Sequence, residues 1–289
     1  MATYFVAGIT GNVGGAAANS LLQGGHNVRS VVRNLDKAAP WAERGVELIH
    51  GDLTNIAALE QALTGVDGAF VMVPPNVVPE PGMPEARAVV DALRQALTRV
   101  TPPRVVALSS IGSEQTSGLG LITATHWLEQ ALGGLTVPVA CVRAGSFYEN
   151  DVAALPGAAA SGVFYTLYGP VDRPVPMIAT ADIGATVAEL LTTAWTERRI
   201  IELGTPVTPA ELAETIGKLA GRDVKAVAVP GDRLTETLEQ FGMPMGRTWA
   251  MEEMVNSVNS GWIHFGIAGT EARPGTTSAA EVYRRHIAS

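Results

Sequence analysis

The sequence predicts an α/β fold, a doubly wound parallel sheet carrying a smaller, discontinuous α/β lobe, and three observations lead there. Short β-rich apolar runs alternate with amphipathic helical stretches through the first two hundred residues, the pattern of repeated βαβ units. The opening strand, TYFVAG, runs straight into Gly8, Gly11 and Gly14, spaced by three at the start of a helix. After Arg143 the alternation gives way to AGSFYENDVAALPGAAASG and then FYTLYGPVD, so the chain makes an excursion from the sheet before it returns at Asp182.

Taken in order, strands are expected at 3–8, 27–33, 46–50, 69–73, 104–109, 137–142 and 199–203. Helices are expected near 12–23, 36–44, 55–64, 84–99, 121–133 and 182–196. Gly24-Gly25 stops the first helix, and Pro74-Pro75 stops the fourth strand. Right-handed crossovers then place helices on both faces of the sheet. From Thr205 the character changes: Thr208-Pro209-Ala210-Glu211 is a capping box with proline at the first helical position, opening a helix that ends near Gly221. The strand KAVAV, a helix from Asp232, FGMP at 241–244 and a helix from about 247 complete the smaller lobe. The expected division is 1–145 plus about 178–204 for the larger unit, and about 146–177 plus 205–289 for the smaller. No internal repeat interrupts this scheme.

Composition narrows the function classes. Cys141 is the only cysteine, so an intramolecular disulfide and a cysteine-based zinc site are both excluded, and a reducing cytoplasm fits. A net charge of -8 disfavours nucleic acid and anionic membrane surfaces as partners. No apolar run is long enough to span a bilayer, since FVMV at 70–73 meets two prolines. The opening YFVAG is too short for a signal peptide, and the first basic residue is Arg29, so it reads as a buried strand.

The glycine turn suits a dinucleotide in a Rossmann domain. Glycine allows a tight turn, lets backbone approach a pyrophosphate and lets the helix pack close on the strand. Unpaired N–H groups at the helix start, with its positive end, would hold the phosphates, with Thr10, Asn12 and Val13 as contacts. A glycine-rich turn without ligand is the plain alternative; position directly after the first strand favours the cofactor. At the end of the second strand, where an NAD-preferring protein places an acid, the sequence reads SVVRN. Arg33 there and Lys37 one turn on would pair a 2′-phosphate, so NADPH (NADP) is expected over NADH, although Asp36 offers Lys37 a rival partner. HGDLTN closes the third strand and puts Asp52 and Leu53 where adenine would lie; Asp52 equally suits a turn or helix cap. Val73, Pro74 and Pro75 exit the fourth strand near the expected nicotinamide ribose.

GITGNVG, VVRNLDKA, GDLTN, LSSIG and VRAGSFYEN stand in the order and approximate spacing of the NmrA-like family of atypical short-chain dehydrogenases, which the whole chain resembles. SGLGLITATHWLEQAL and FGMP look most like its NADPH-dependent quinone oxidoreductase type 2 branch. The resemblance implies that the glycine turn, Arg33, Lys37, Asp52, Leu53 and the strand-four exit contact the cofactor. Typical short-chain dehydrogenases carry a Tyr-x-x-x-Lys pair on the helix after the fifth strand, the lysine lowering the tyrosine pKa for proton exchange. Aligned on Glu129, those positions hold Leu121 and Thr125, and neither can perform the role. Ordinary ketone reduction and sugar-nucleotide epimerase chemistry fall with them.

The acceptor that remains is one that takes hydride without a strong local acid, such as a quinone. Candidate catalytic residues are Tyr148 and Asn150, with Phe147, on the loop after Arg143, and Ser110 with Ser109 at the end of strand five. The aromatics could instead pack the lobe interface, and the serines could cap a turn. His126 follows the missing lysine position and would face the site only after a small helix rotation. The other histidines lack metal-ligand spacing, no G-x-S-x-G turn supports a hydrolase, and Trp249, Met251 and Met254 read as core. A small-molecule acceptor is the expected partner; a homodimer stays open. The competing reading is a non-catalytic NADP(H) sensor that signals to a regulatory protein partner.

Overall fold

The computed structural model describes residues 1–287. Its elements run β1 (Thr3–Val6), α1 (Asn12–Gln23), β2 (Asn27–Val32), α2 (Leu35–Ala42), β3 (Glu47–His50), α3 (Ile56–Leu63) and β4 (Gly68–Val71). Then come α4 (Pro84–Val100), β5 (Val105–Ser110), α5 (Thr123–Leu132), β6 (Val139–Ala144), β7 (Ser146–Phe147), α6 (Leu155–Ser161) and β8 (Val163–Thr166). The rest is β9 (Val175–Ile178), α7 (Thr180–Thr192), β10 (Arg199–Leu203), β11 (Thr205–Val207), α8 (Pro209–Ala220), β12 (Lys225–Ala228), α9 (Leu234–Gln240), α10 (Trp249–Ser260), β13 (Glu271–Arg273) and α11 (Ala279–Ile287).

Eight strands form one sheet in the order β13-β10-β6-β5-β4-β1-β2-β3, and every pairing in it is parallel. Parallel strands must be covered on both faces, and successive strand residues serve opposite sides. One core gathers Val6, Phe70, Val106, Val142 and Ile201 with α1, α2 and α7. The other gathers Phe5, Val71, Ala107 and Cys141 with α3, α4 and α5. Small residues let α1 and α7 approach closely: a Cβ on Gly184 would lie 2.4 Å from the Ala16 Cβ.

The doubly wound sheet expected from the sequence is therefore present, with every expected strand and helix found and their ends moved by a few residues. The helix expected from 182 starts at Thr180, because Glu149 reaches over to cap it: its carboxylate accepts from the Thr180 N–H at 3.0 Å and the hydroxyl at 2.6 Å. The helix expected from 121 starts at Thr123, preceded by a 3-10 turn over Gly120–Ile122. Five strands were not expected: β7, β8, β9 and β11 in the smaller lobe, and β13. Residues 271–273, assigned by sequence to the smaller lobe, join the main sheet beside β10. Arg199 and Glu271 pair bidentately across these strands at 2.7 and 2.6 Å, and Glu202 accepts the Gly266 and Ile267 N–H groups just before β13. The chain thus crosses between the expected units twice more than the division allowed, since α11 returns to the smaller lobe.

The smaller lobe holds a three-stranded sheet, β11-β9-β7, and a two-stranded parallel sheet, β12-β8. Tyr148, Phe164, Met177, Leu212, Ile216 and Tyr283 form its centre. The capping box at Thr208 and Glu211 is formed as expected. Among the described residues no helix is long and apolar enough to cross a membrane.

Candidate functional site

β1 stops at Val6 because the chain turns at Gly8, whose φ of +68° lies in the left-handed region that side chains disfavour. The Gly11 N–H closes this turn onto the Gly8 carbonyl at 2.9 Å. A Cβ on Gly14 would sit 2.3 Å from that same carbonyl oxygen, so only glycine fits where α1 crosses the turn. No side chain caps α1. Its first N–H groups, which have no partner within the helix, and its positive end are therefore left open beside exposed Thr10, Gly11 and Asn12. Val13 is buried, so it would contribute its N–H rather than its side chain.

Arg33 follows β2 directly, and Lys37 lies in the first turn of α2, whose start Asn34 caps by accepting the Lys37 N–H at 2.8 Å. Both side chains are exposed, and among the described residues neither is in an ion pair, so Asp36 does not compete for Lys37. Asp52 is used locally: its carboxylate accepts from the Thr54 hydroxyl and, at 2.7 Å, the Thr54 N–H. Those bonds, helped by the nearby Arg33 charge, hold its carboxyl below the usual range. Leu53 is buried in the core. The exit of β4 runs beside the glycine turn, since a Cβ on Gly8 would meet the Met72 sulfur at 2.8 Å. Val73 is half-buried there, and Pro74 and Pro75 are exposed. The turn, Arg33, Lys37, Asp52 and the β4 exit thus share the carboxyl edge of β1, β2, β3 and β4.

At the neighbouring ends of β5 and β6 a buried polar network has formed. Arg143 pairs bidentately with Glu129 at 2.9 and 2.8 Å and reaches Glu114 at 2.9 Å. Ser109 donates to Glu129 at 2.5 Å and bonds Ser113 at 3.0 Å, and Ser113 in turn meets Thr125 at 2.8 Å. Ser109 is therefore committed to the scaffold and corrects the expectation of a substrate contact. Thr125 is likewise occupied, and Leu121 lies half-buried in the 3-10 turn. Ser110 keeps a half-buried hydroxyl with no partner among the described residues. His126 Nδ1 lies 2.9 Å from the Ser113 carbonyl, which ties the ring to the β5 loop without helix rotation.

Tyr148 corrects the sequence expectation. It is 3% exposed and packs edge-on against Tyr283 at 6.2 Å, so its ring belongs to the lobe core; burial raises its phenol pKa. An aromatic of that size gains more from enclosure than a solvated cleft offers. Phe147 is half-buried against the main core, and Asn150 is exposed.

The smaller lobe roofs the β5 loop with residues the sequence did not single out. A Cβ on Gly112 would lie 2.9 Å from Ile263, and one on Gly120 would lie 2.0 Å from the Ala250 carbonyl of α10. Ile111, Leu119, Ile122 and Ile263 close a separate apolar cluster here, with Met254 and Phe265 against it. Trp262 Nε1 donates to the Ser117 carbonyl at 3.1 Å. A concavity of about 250 Å³ lined by Leu132, Thr136, Pro138 and Arg198 lies at the opposite, amino edge of β6 and β10, away from these groups.

Comparison with known proteins agrees with this geometry. The model of the NmrA-like family matches residues 2–268. A (4-alkanoyl-5-oxo-2,5-dihydrofuran-3-yl)methyl phosphate reductase of Streptomyces griseus is 30% identical over 249 residues, 85% of this chain and 79% of the relative. Quinone oxidoreductase 2 of Escherichia coli is 27% identical over 245 residues, 83% of this chain and 82% of its own. Among solved structures, the NADPH complex of an Escherichia coli NADPH-dependent quinone oxidoreductase superposes with a TM-score of 0.79 at 24% identity, covering 98% of this chain and 99% of the other. The Citrobacter triphenylmethane reductase complexed with NADP(H) gives 0.81 at 19% identity over 99% and 100%. These likenesses show a shared fold.

Proposed function

The chain belongs to the NmrA-like family, and from that premise we propose that it is an NADPH-dependent oxidoreductase that reduces a quinone-like small electrophile. One observation supports the cofactor reading: an uncapped helix start over a glycine turn that excludes any Cβ, with Arg33 and Lys37, in no ion pair among the described residues, at the next strand end. The residues fit the group. N–H donors of Asn12, Val13 and Gly14 would take the pyrophosphate, and the Arg33 guanidinium would pair the 2′-phosphate with Lys37 beside it. Thr10 and the Val73-Pro74-Pro75 exit would flank the rest of the dinucleotide, with Leu53 and Asp52 at the adenine end. The larger unit, about 1–145 plus 178–204 with β13, would hold the dinucleotide, and the smaller lobe would close over the acceptor.

Bound NADPH supplies a hydride, and with a proton from water a quinone becomes a hydroquinone. The protein's share is placement and exclusion of water. The Glu129–Arg143–Glu114 network fixes the ends of β5 and β6; Ser110 sits at the first and Asn150 lies in the 3-10 segment beyond the second, and among the described residues neither side chain has a hydrogen-bond partner, so both could donate to a developing oxyanion. Leu121 and Thr125 offer no acid where a Tyr-Lys pair would stand, which suits an acceptor whose reduced anion is stable by delocalisation. The reductase reading can be tested by mixing purified protein with NADPH and a quinone panel while following the absorbance of reduced nicotinamide. Consumption well above the protein-free rate is expected. NADPH binding without consumption across the panel would instead favour a sensor that signals to a protein partner.

A further inference from the structure

The smaller lobe also contacts the loop that follows β4. Arg247, at the end of the segment between α9 and α10, donates to the Glu80 carboxylate at 2.7 Å and to the Val78 carbonyl at 2.9 Å. This joins the 241–248 segment to the loop that leaves β4 past Pro74 and Pro75. Around the joint, three large apolar side chains are exposed: Val77 at 48%, Phe241 at 68% and Met245 at 87%. Isolated exposed hydrophobics are ordinary, but three on two tied segments at the rim of the site make an apolar mouth. Two buried donors beside the joint, Arg247 Nε–H on the strap and Trp249 Nε1–H at the start of α10, have no acceptor among the described residues. A carbonyl oxygen is what such donors lack. The clasp itself is weak, because the Arg247 side chain is 31% exposed and that of Glu80 58%, where water screens an ion pair.

We propose that Arg247 is a positioning residue for the acceptor: by clasping the 241–248 strap to Glu80 it assembles a mouth of Val77, Phe241 and Met245 that selects flat, apolar, carbonyl-bearing acceptors. The inference rests on the reductase reading above. It concerns acceptor choice and not dinucleotide binding. The ion pair orients the strap, and the apolar rim supplies affinity that a small hydrophilic acceptor does not use.

The test compares the wild type with R247A, R247K and E80Q on 1,4-benzoquinone and 2-methyl-1,4-naphthoquinone, with the NADPH dissociation constant measured separately by fluorescence. R247A and E80Q are expected to raise KM for the naphthoquinone by about fivefold with a smaller change in kcat, while benzoquinone kinetics stay within about twofold. R247K, which keeps the charge pair, is expected to restore most of the loss, and high salt to reproduce the R247A behaviour in the wild type. Equal changes for both quinones, unchanged KM, or a parallel loss of NADPH affinity would overturn the proposal. Should the wild type reduce neither quinone, the reductase reading fails and the clasp is judged by chymotrypsin cleavage after Phe241. Faster cleavage in R247A and E80Q than in the wild type supports it, and equal rates contradict it.

Discussion

Arg33 and Tyr148 illustrate what a single residue discloses. The role proposed for Arg33 is readable in the sequence because it depends on local order: a strand end, the next helix, and a missing acid. In the structure it is exposed, and among the described residues it has no ion-pair partner. Arg33→Ala should therefore weaken NADPH binding by roughly tenfold or more, since a charge-assisted hydrogen bond is worth about 1.5–3 kcal/mol, and should barely affect NADH. Equilibrium titration with both cofactors checks this, and equal weakening would show that Arg33 does not read the 2′-phosphate. Tyr148 was misplaced for the converse reason. Its burial is decided by Tyr283 on the last helix, and no local pattern announces that pairing. Ser109 misled in the same way, because its partner Glu129 comes from α5.

At the scale of elements, the strands and helices of the main sheet were legible because each is long enough to show its period. β13 was not: EAR is three residues with no alternation, held by Arg199, Glu202 and the edge of β10. The start of α7 was hidden because its cap comes from Glu149. The last helix is anchored similarly, since Tyr283 donates its hydroxyl to Asp151 in the 3-10 segment before α6. Burial pushes the Asp151 carboxyl up to about 6, against the lowering effect of that hydrogen bond. A carboxyl raised in the folded state contributes stability that is complete below its unfolded value of 3.8 and is lost as pH rises through about 6. Asp151→Asn keeps an acceptor for Tyr283 and removes the titration. Denaturant unfolding of both proteins from acid to neutral pH should show the variant gaining on the wild type across that window, by up to about 3 kcal/mol. A constant difference would mean that Asp151 does not titrate there.

The whole molecule places an open dinucleotide turn, a β4 exit and an exposed apolar rim on one edge of a parallel sheet, with the Arg143 network bracing the ends of β5 and β6. The cofactor side was legible in the sequence because one βα turn and one strand end build it. The acceptor side was not, because residues from α10, the segment after it and the β5 loop meet only in three dimensions. The central claim is direct hydride transfer from NADPH to a quinone-like acceptor without a tyrosine acid. A single-turnover reaction of the NADPH-loaded protein with 2-methyl-1,4-naphthoquinone, repeated with NADPH deuterated at the transferring carbon, tests it most directly. The account predicts loss of the reduced-nicotinamide absorbance at a rate that falls on deuteration; saturating NADPH binding with no such loss would contradict it.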